Sequence, residues 1–216
     1  MFTGIIEAVG SIASVRSEQG DLRLRINSGS LDLGDVKLGD SIATNGVCLT
    51  VVACHGDGFE ADVSRESLAH TRIGQWSPGT RVNLEKAMLP TTRMGGHIVS
   101  GHVDGVGTVR SRSADARSVR FEVDVPADLQ RYIAAKGSVT VDGVSLTTNA
   151  LTASGFALNI VPHTAQETTL ADLQAGAEVH IEVDVIARYL EQLLGHKTHE
   201  ESRLTPAFLA ENGFWK

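Results

Sequence analysis

The sequence predicts an all-β protein made of two small closed antiparallel barrels in tandem, followed by a C-terminal α-helix. Three observations lead there. The 216-residue chain repeats itself at a fixed offset of 97 residues, which means one structural unit made twice. Each copy breaks into six short runs of alternating polarity, separated by Gly, Asp or Asn. Beyond residue 185 the apolar period changes to that of a helix. Short strands without long intervening helices favour a closed antiparallel barrel over a βαβ sheet.

The repeat is legible at several points. Thr3-Gly4 to Val9-Gly10 recurs as Ser100-Gly101 to Val106-Gly107, and Asn45-Gly46-Val47-Cys48-Leu49-Thr50 recurs as Asp142-Gly143-Val144-Ser145-Leu146-Thr147. Gly58-Phe59 recurs as Gly155-Phe156. Gly79, Val82 and Glu85 recur as Gly176, Val179 and Glu182. Laid without gaps, residues 1–93 match 98–190 at about 17 positions, roughly three times chance. Against this background the departures stand out: Ile5 becomes His102, Cys48 becomes Ser145 and Ala87 becomes Asp184. A shared scaffold with different polar groups at equivalent places implies two related pockets with different tasks.

In chain order, the strands of the first copy are expected at Gly10 to Val15, Leu22 to Ile26, Ser41 to Thr44, Val47 to Val52, Phe59 to Val63 and Arg81 to Leu84. Those of the second are expected at Gly107 to Val109, Val119 to Val125, Ser138 to Val141, Val144 to Thr148, Phe156 to Val161 and Glu178 to Val183. Asp128 to Ala135 reads as a short helix before the Lys136-Gly137 turn. Leu89-Pro90 to Gly95-Gly96, with Pro and paired Gly, is a natural linker. The expected divisions are residues 1–95, 96–186 and 187–216.

In the tail, Ile186, Tyr189, Leu190, Leu193 and Leu194 fall on one helical face. Thr205-Pro206 to Gly213 supplies an N-cap, a proline at the first helical position and a glycine stop. A helix outside two closed barrels must bury that face, either as a lid over its own barrel or in an oligomer. Phe208, Phe214 and Trp215 add apolar surface that suits both.

Composition narrows the class. An apolar content of 42% and a charged content of 21% are ordinary for a globular protein. A net charge of −7 and a pI near 5.6 argue against a nucleic-acid partner, which needs a basic face. No apolar run approaches the roughly 18 residues of a membrane span, and the start, Met1 to Glu7, lacks the pattern of a signal peptide. A cytoplasmic location is expected. Cys48 and Cys54 on one strand would stand about 20 Å apart, far beyond the roughly 7 Å that a disulfide allows.

Met1-Phe2-Thr3-Gly4-Ile5-Ile6-Glu7, Asn45 to Val51, Gly95-Gly96-His97 to Ser100-Gly101-His102-Val103-Asp104, and Asp142 to Thr147 together resemble riboflavin synthase of the α-chain type. The similarity runs the whole length of the chain, and four motifs in order make it specific. The resemblance implies two six-stranded Greek-key barrels and a homotrimer assembled through the C-terminal helices. It implies a dismutation of two molecules of 6,7-dimethyl-8-ribityllumazine, one giving a four-carbon unit to the other, with no metal and no cofactor. The products are riboflavin and 5-amino-6-(D-ribitylamino)uracil. The active site would lie between the first barrel of one subunit and the second barrel of another. Lumazine synthase, which makes the substrate, is a candidate partner. No membrane is involved.

This chemistry needs a proton removed from an acidified methyl group, a nucleophile adding to a ring, and later proton returns. The resemblance places Cys48, Thr50, Ser145 and Thr147 beside the bound lumazines. Cys48 and Thr50 share one face of a strand, as do Ser145 and Thr147; the competing reading is of small groups packed inside a barrel. His102 lies in the Ser-Gly-His motif and would exchange protons near neutral pH. Asp184 stands where the family carries an acid. His97 and His102, five apart on a strand, would point to opposite faces and form no metal pair.

The family's ligand-binding positions carry over as follows. Gly4, Ile5 and Ile6 would offer backbone groups to a pteridine edge in the first barrel, and Gly101 and Val103 in the second. The equivalent segments Asp62 to Ser67 and Asn159 to Thr164 would contact the ring and the ribityl hydroxyls, through Asp62, Val63, Ser64, Glu66 and Ser67 in the first and Asn159, Ile160, Pro162, His163 and Thr164 in the second. His163 stands where many members carry Glu. Lys136 and Leu146 belong to the second pocket, and Ser41 to a position near the reacting centre. Thr148-Asn149 departs from the family's usual Val after Ser-Leu-Thr.

Two other classes compete. Antenna-type lumazine proteins share the double barrel but typically lose the polar set of the second one, which is kept here as His102, Ser145, Thr147 and Asp184. A flavin-binding reductase barrel would need a dinucleotide-binding domain with a Gly-rich strand–helix turn, and none is present.

Overall fold

The computed structural model describes residues 1–18, 20–195 and 213. In the first repeat, β1 (Ala8–Glu18), β2 (Asp21–Asn27), β3 (Ser41–Thr44), β4 (Val47–His55), β5 (Gly58–Val63) and β6 (Arg81–Lys86) form a closed barrel in the order β1-β2-β5-β4-β3-β6. Every neighbouring pair is antiparallel. Alternation fixes which side faces in. Val47, Leu49 and Val51 of β4 join Leu24, Ile26, Phe59 and Leu84 in the barrel core. Burial of each such side chain contributes roughly 1.5–3 kcal/mol.

The second repeat follows the same path through β7 (Gly105–Asp115), β8 (Ser118–Asp124), β9 (Ser138–Val141), β10 (Val144–Thr147), β11 (Ala150–Leu151), β12 (Gly155–Ile160) and β13 (Glu178–Val183). It has seven strands rather than the expected six, in the order β10-β9-β13-β7-β8-β12-β11. The extra strand is the counterpart of β4 broken in two at Thr148–Asn149. In the first repeat β4 already shifts register against β5 between Val51 and Ala53. Here Val51 has become Thr148, whose buried hydroxyl has no hydrogen-bond partner, and pairing with β12 resumes only at Ala150. The two end strands are consecutive pieces of one run, so the sheet curls back on itself.

The barrels meet at their equivalent hairpin turns. Asn45-Gly46 and Asp142-Gly143 share the same backbone, with φ of 45° and 80° in each, as a two-residue hairpin loop requires. A Cβ on Gly46 would come within 2.7 Å of the Gly143 nitrogen, so only glycines allow this approach. Around them runs a paired set of buried hydrogen bonds. The Asn83 side-chain amide donates to the Asp142 carbonyl at 2.9 Å, and its Oδ1 accepts from the Thr169 N–H at 2.8 Å. At the equivalent place, His180 Nδ1 pairs with the Asn45 carbonyl at 2.8 Å, and Nε2 accepts from the Arg72 N–H at 2.8 Å.

Four elements differ from the sequence expectation. Asp128 to Ala135 holds only a 3-10 turn at Gln130–Tyr132; Leu129 and Ile133 are buried in the second core, and a single tight turn delivers both. Conversely, α1 (Arg65–His70) and α2 (Pro162–Glu167) follow β5 and β12, too short for periodicity to reveal. His97 and His102 lie on a connecting segment, not a strand, where Val99 makes an isolated bridge to Phe2.

The C-terminal helix α3 spans Val185–Gly195. Its Ile186, Tyr189, Leu190, Leu193 and Leu194 are all more than half exposed. The expected helix from Thr205, with Phe208, Phe214 and Trp215, lies outside the described residues. No helix among the described residues is long and apolar enough to cross a membrane.

Candidate active site: two grooves with exchanged straps

On β4, Cys48 and Thr50 face outward, opposite the core residues Val47, Leu49 and Val51. Their cross-strand partners on β3 are Ala43 and Ser41. On β10, Ser145 and Thr147 occupy the same outer face, opposite Thr140 and Ser138 of β9. The candidates therefore line grooves on the outside of the barrels, not barrel interiors.

Each groove is crossed by a strap from the other repeat. The Cys48 N–H donates to the Gly101 carbonyl at 2.8 Å, and the Ser145 N–H donates to the Gly4 carbonyl at 2.8 Å. Val103 packs on the first core and Ile6 on the second. The expectation is Gly4, Ile5 and Ile6 with the first barrel and Gly101 and Val103 with the second; in the structure Gly4 and Ile6 reach β10 and the second core, Gly101 and Val103 reach β4 and the first core, and Ile5 stays against the first barrel. The repeat could not reveal this, because equivalent positions are equivalent under either arrangement. Buried carboxylates of β6 and β13 hold the straps. Glu85 Oε1 accepts from the N–H and hydroxyl of Thr3, both at 2.7 Å, and Oε2 from Gly4 N–H at 2.9 Å. Glu182 does the same for Ser100 and Gly101 at 2.7, 2.7 and 3.0 Å. Burial pushes both carboxyls above their usual range, against the pull of these hydrogen bonds.

The exchange brings His102 to the Cys48 groove, where it is exposed beside Gly101. The remaining candidates of that groove divide. Asp62 is held by the Arg23 guanidinium at 2.7 and 3.0 Å, which keeps its carboxyl below the usual range. Val63 is in the core. Ser64 caps α1, accepting from the Ser67 N–H at 3.3 Å. Glu66 is exposed, 3.1 Å from His70 on the next turn. The Ser67 hydroxyl lies 3.3 Å from that of Ser64.

In the second groove, Ser145, Leu146, Thr147, Asn159, Ile160 and Thr164 line one cavity of about 210 Å³. Pro162 opens α2, and His163 is exposed on it. A larger cavity, about 680 Å³, lies against the first barrel between β3, β6 and the linker. Of the candidates it holds only Ile5 and Ser41, together with the Lys86–Asp35 pair at 2.6 Å. Cys48, Thr50, Ser145 and Thr147 all lie outside it.

Lys136 is exposed and has φ of 67°, where its counterpart Gly39 has 91°. A lysine held in the left-handed region at a glycine's position costs roughly 1–2 kcal/mol, and such strain is kept at functional sites. Asp184, half-buried, directly follows β13. Two further residues of these motifs stand out: Phe2, which nothing in the sequence singles out, and His97, which the sequence offers only as a metal ligand. Phe2 is fully buried in a cluster with Ala43 and Val99, against which Cys48 and Ala87 pack. His97 Nδ1 lies 2.7 Å from Ser145 Oγ.

The lumazine binding domain matches residues 3–87 and again residues 100–184. Riboflavin synthase of Photobacterium phosphoreum is 52% identical over 216 residues, covering 99% of both chains. That of Bacillus subtilis is 41% identical over 217 aligned positions, covering 99% of this chain and 100% of the other.

The chain belongs to the riboflavin synthase family.

Among solved structures, LumP complexed with 6,7-dimethyl-8-(1'-D-ribityl) lumazine is similar with a TM-score of 0.76 and 25% identity, over 85% of this chain and 99% of that one. LumP complexed with riboflavin gives a TM-score of 0.78 at the same identity and coverage. The riboflavin synthase family thus accounts for the doubled barrel, and the ligands of LumP agree in class with the lumazine binding domain.

Proposed function

We propose that the two grooves hold the two lumazines of one riboflavin synthase reaction. The chain is a transferase that dismutates two molecules of 6,7-dimethyl-8-ribityllumazine to riboflavin and 5-amino-6-(D-ribitylamino)uracil by moving a four-carbon unit. The observation that carries the site assignment is the doubling itself: two equivalent grooves, strapped alike, for two copies of one substrate. Holding both rings in register supplies much of the rate through proximity and orientation.

The differences between the grooves divide the labour. Cys48, Thr50 and His102 serve the first, with Gly101 and Val103 as its strap and Ser41 at its edge. Ser145, Thr147 and Asp184 serve the second, with Gly4 and Ile6 as its strap and Lys136 beside it. The second cavity, about 210 Å³, falls below the roughly 300 Å³ at which small-molecule pockets begin. That shortfall supports a site completed by another subunit, the first groove of one chain facing the second groove of its partner. The exposed apolar face of α3 supports a homotrimer joined through these helices. The working protein is cytoplasmic, needs no metal or cofactor, and takes substrate from lumazine synthase.

A non-catalytic lumazine carrier is the second reading, favoured by the likeness to LumP. The 25% identity to LumP against 52% to a riboflavin synthase, and the retained His102, Ser145, Thr147 and Asp184, weigh against it. Incubation of the purified protein with the lumazine alone decides. One riboflavin per two lumazines consumed supports the enzyme; tight binding without riboflavin sinks it.

A further inference from the structure

We propose that His97 is the positioning residue of the second groove, controlling whether the Ser145 hydroxyl offers its proton or its lone pairs to the bound lumazine. This rests on reading that groove as a lumazine site. The segment from His97 to His102 gives one histidine to each groove: His102 follows the Gly101 that leans on Cys48, and His97 reaches Ser145.

The geometry around Ser145 is closed on two sides. Its N–H donates to the Gly4 carbonyl at 2.8 Å, and its hydroxyl lies 2.7 Å from His97 Nδ1. The two supports are tied together, because the His97 N–H donates to the Thr3 carbonyl at 3.1 Å, one residue before Gly4. Gly96 makes room: a Cβ there would come within 2.1 Å of the Thr3 oxygen and 2.9 Å of Ser145 Oγ. A backbone strap and a ring thus fix one hydroxyl.

A hydroxyl has one proton and two acceptor sites. With Nδ1 bare, the Ser145 proton points to the ring and the lone pairs face the groove. With Nδ1 protonated, the ring donates and the hydroxyl proton faces the groove. A proton taken by Ser145 from the substrate is matched by the serine's own proton passing to Nδ1, and its return reverses both transfers. Burial lowers the tendency of His97 to hold a second proton, while the Asp184 carboxylate, the charged group acting on it, raises that tendency. Burial is the larger of the two effects, so the His97 pKa lies below its ordinary value and the resting ring is uncharged near neutral pH, able to take the serine proton. The first groove is built otherwise, since there Cys48 packs against an apolar cluster of Phe2, Ala43 and Val99.

The test compares His97→Ala, His97→Asn and Ser145→Ala in steady-state turnover of the lumazine across pH. The expected result for His97→Ala is a kcat lower by about 100-fold, the scale of a lost proton-transfer partner, with KM little changed. His97→Asn, whose amide reaches toward the Nδ1 position without titrating, should recover part of kcat and lose the acid limb of the pH profile. In a Ser145→Ala background, His97→Ala should cost nothing more. Wild-type kcat in His97→Ala, a loss confined to KM, or an acid limb that survives in His97→Asn would overturn the proposal. Failure of the groove reading looks different: Asn159→Ala and Thr164→Val would then leave lumazine affinity and turnover unchanged.

Discussion

Gly101 stands so close to Cys48 that a Cβ on the glycine would come within 2.7 Å of the Cys48 Cβ, and φ at Gly101 is +81°. Gly4 bears the same relation to Ser145, at 2.6 Å and +74°. These two glycines are where each repeat touches the other's strand that carries Cys48 or Ser145. Gly101→Ala or Gly4→Ala should therefore destabilise the protein by about 2 kcal/mol or more, combining left-handed strain with a backbone clash. Denaturant unfolding measures the loss. Alanine at either position with wild-type stability and turnover would mean that the straps yield freely.

His102→Gln and Asp184→Asn should lower kcat by about 10- to 100-fold with smaller effects on lumazine affinity, as expected for groups that move or place protons. Stopped-flow turnover beside fluorescence titration separates the two quantities. Wild-type turnover in both variants would show that the asymmetry of the repeats has another cause.

Lys136→Gly should stabilise the fold by about 0.5–1 kcal/mol, because glycine accepts φ of 67° without strain. Turnover should fall in the same variant. A gain in stability with full activity would leave the strained lysine without a role in the second pocket.

His180 predicts a pH dependence. Its Nε2 accepts from the Arg72 N–H, so it must be bare, and Nδ1 must carry the proton that pairs with the Asn45 carbonyl. Burial likewise pushes its pKa below the ordinary 6.5. The folded protein therefore holds His180 neutral, while the unfolded chain takes up a proton as pH falls below about 6.5. That difference removes stability on acidification. The neighbouring Asp142, raised by burial, works in the opposite sense. His180→Asn imports the residue that the first repeat uses at this place, Asn83. Thermal melts from pH 7.5 to 5.5 should fall less steeply in this variant, and parallel curves would refute the assignment.

Much of this arrangement was legible in the chain. The offset of 97 residues set the doubling, and alternation located the strands, with Ser41–Thr44, Ser138–Val141 and Glu178–Val183 found to the residue. The helices α1 and α2 were not, since six residues carry too little periodicity and depend on packing. The break at Thr148 left only a polar residue where a core valine was due. For His97 the sequence offers only a strand geometry that argues against a metal pair, and the residue lies on a connecting segment. Its pairing with Ser145 is a tertiary contact 48 residues away, which no local pattern records. The exchange of straps is of the same kind: sequence places Gly4 and Gly101 in equivalent settings but cannot say which neighbour each one visits.

That exchange has a consequence for how such a protein can be divided. A fragment holding only the first repeat would keep Glu85 and the Thr3–Ile6 segment it anchors, yet leave β4 uncovered, because the piece that lies over Cys48 belongs to the other half. Two such fragments could satisfy each other reciprocally, each laying its leading residues across the other's fourth strand. The double barrel is thus a domain-swapped dimer written into one polypeptide.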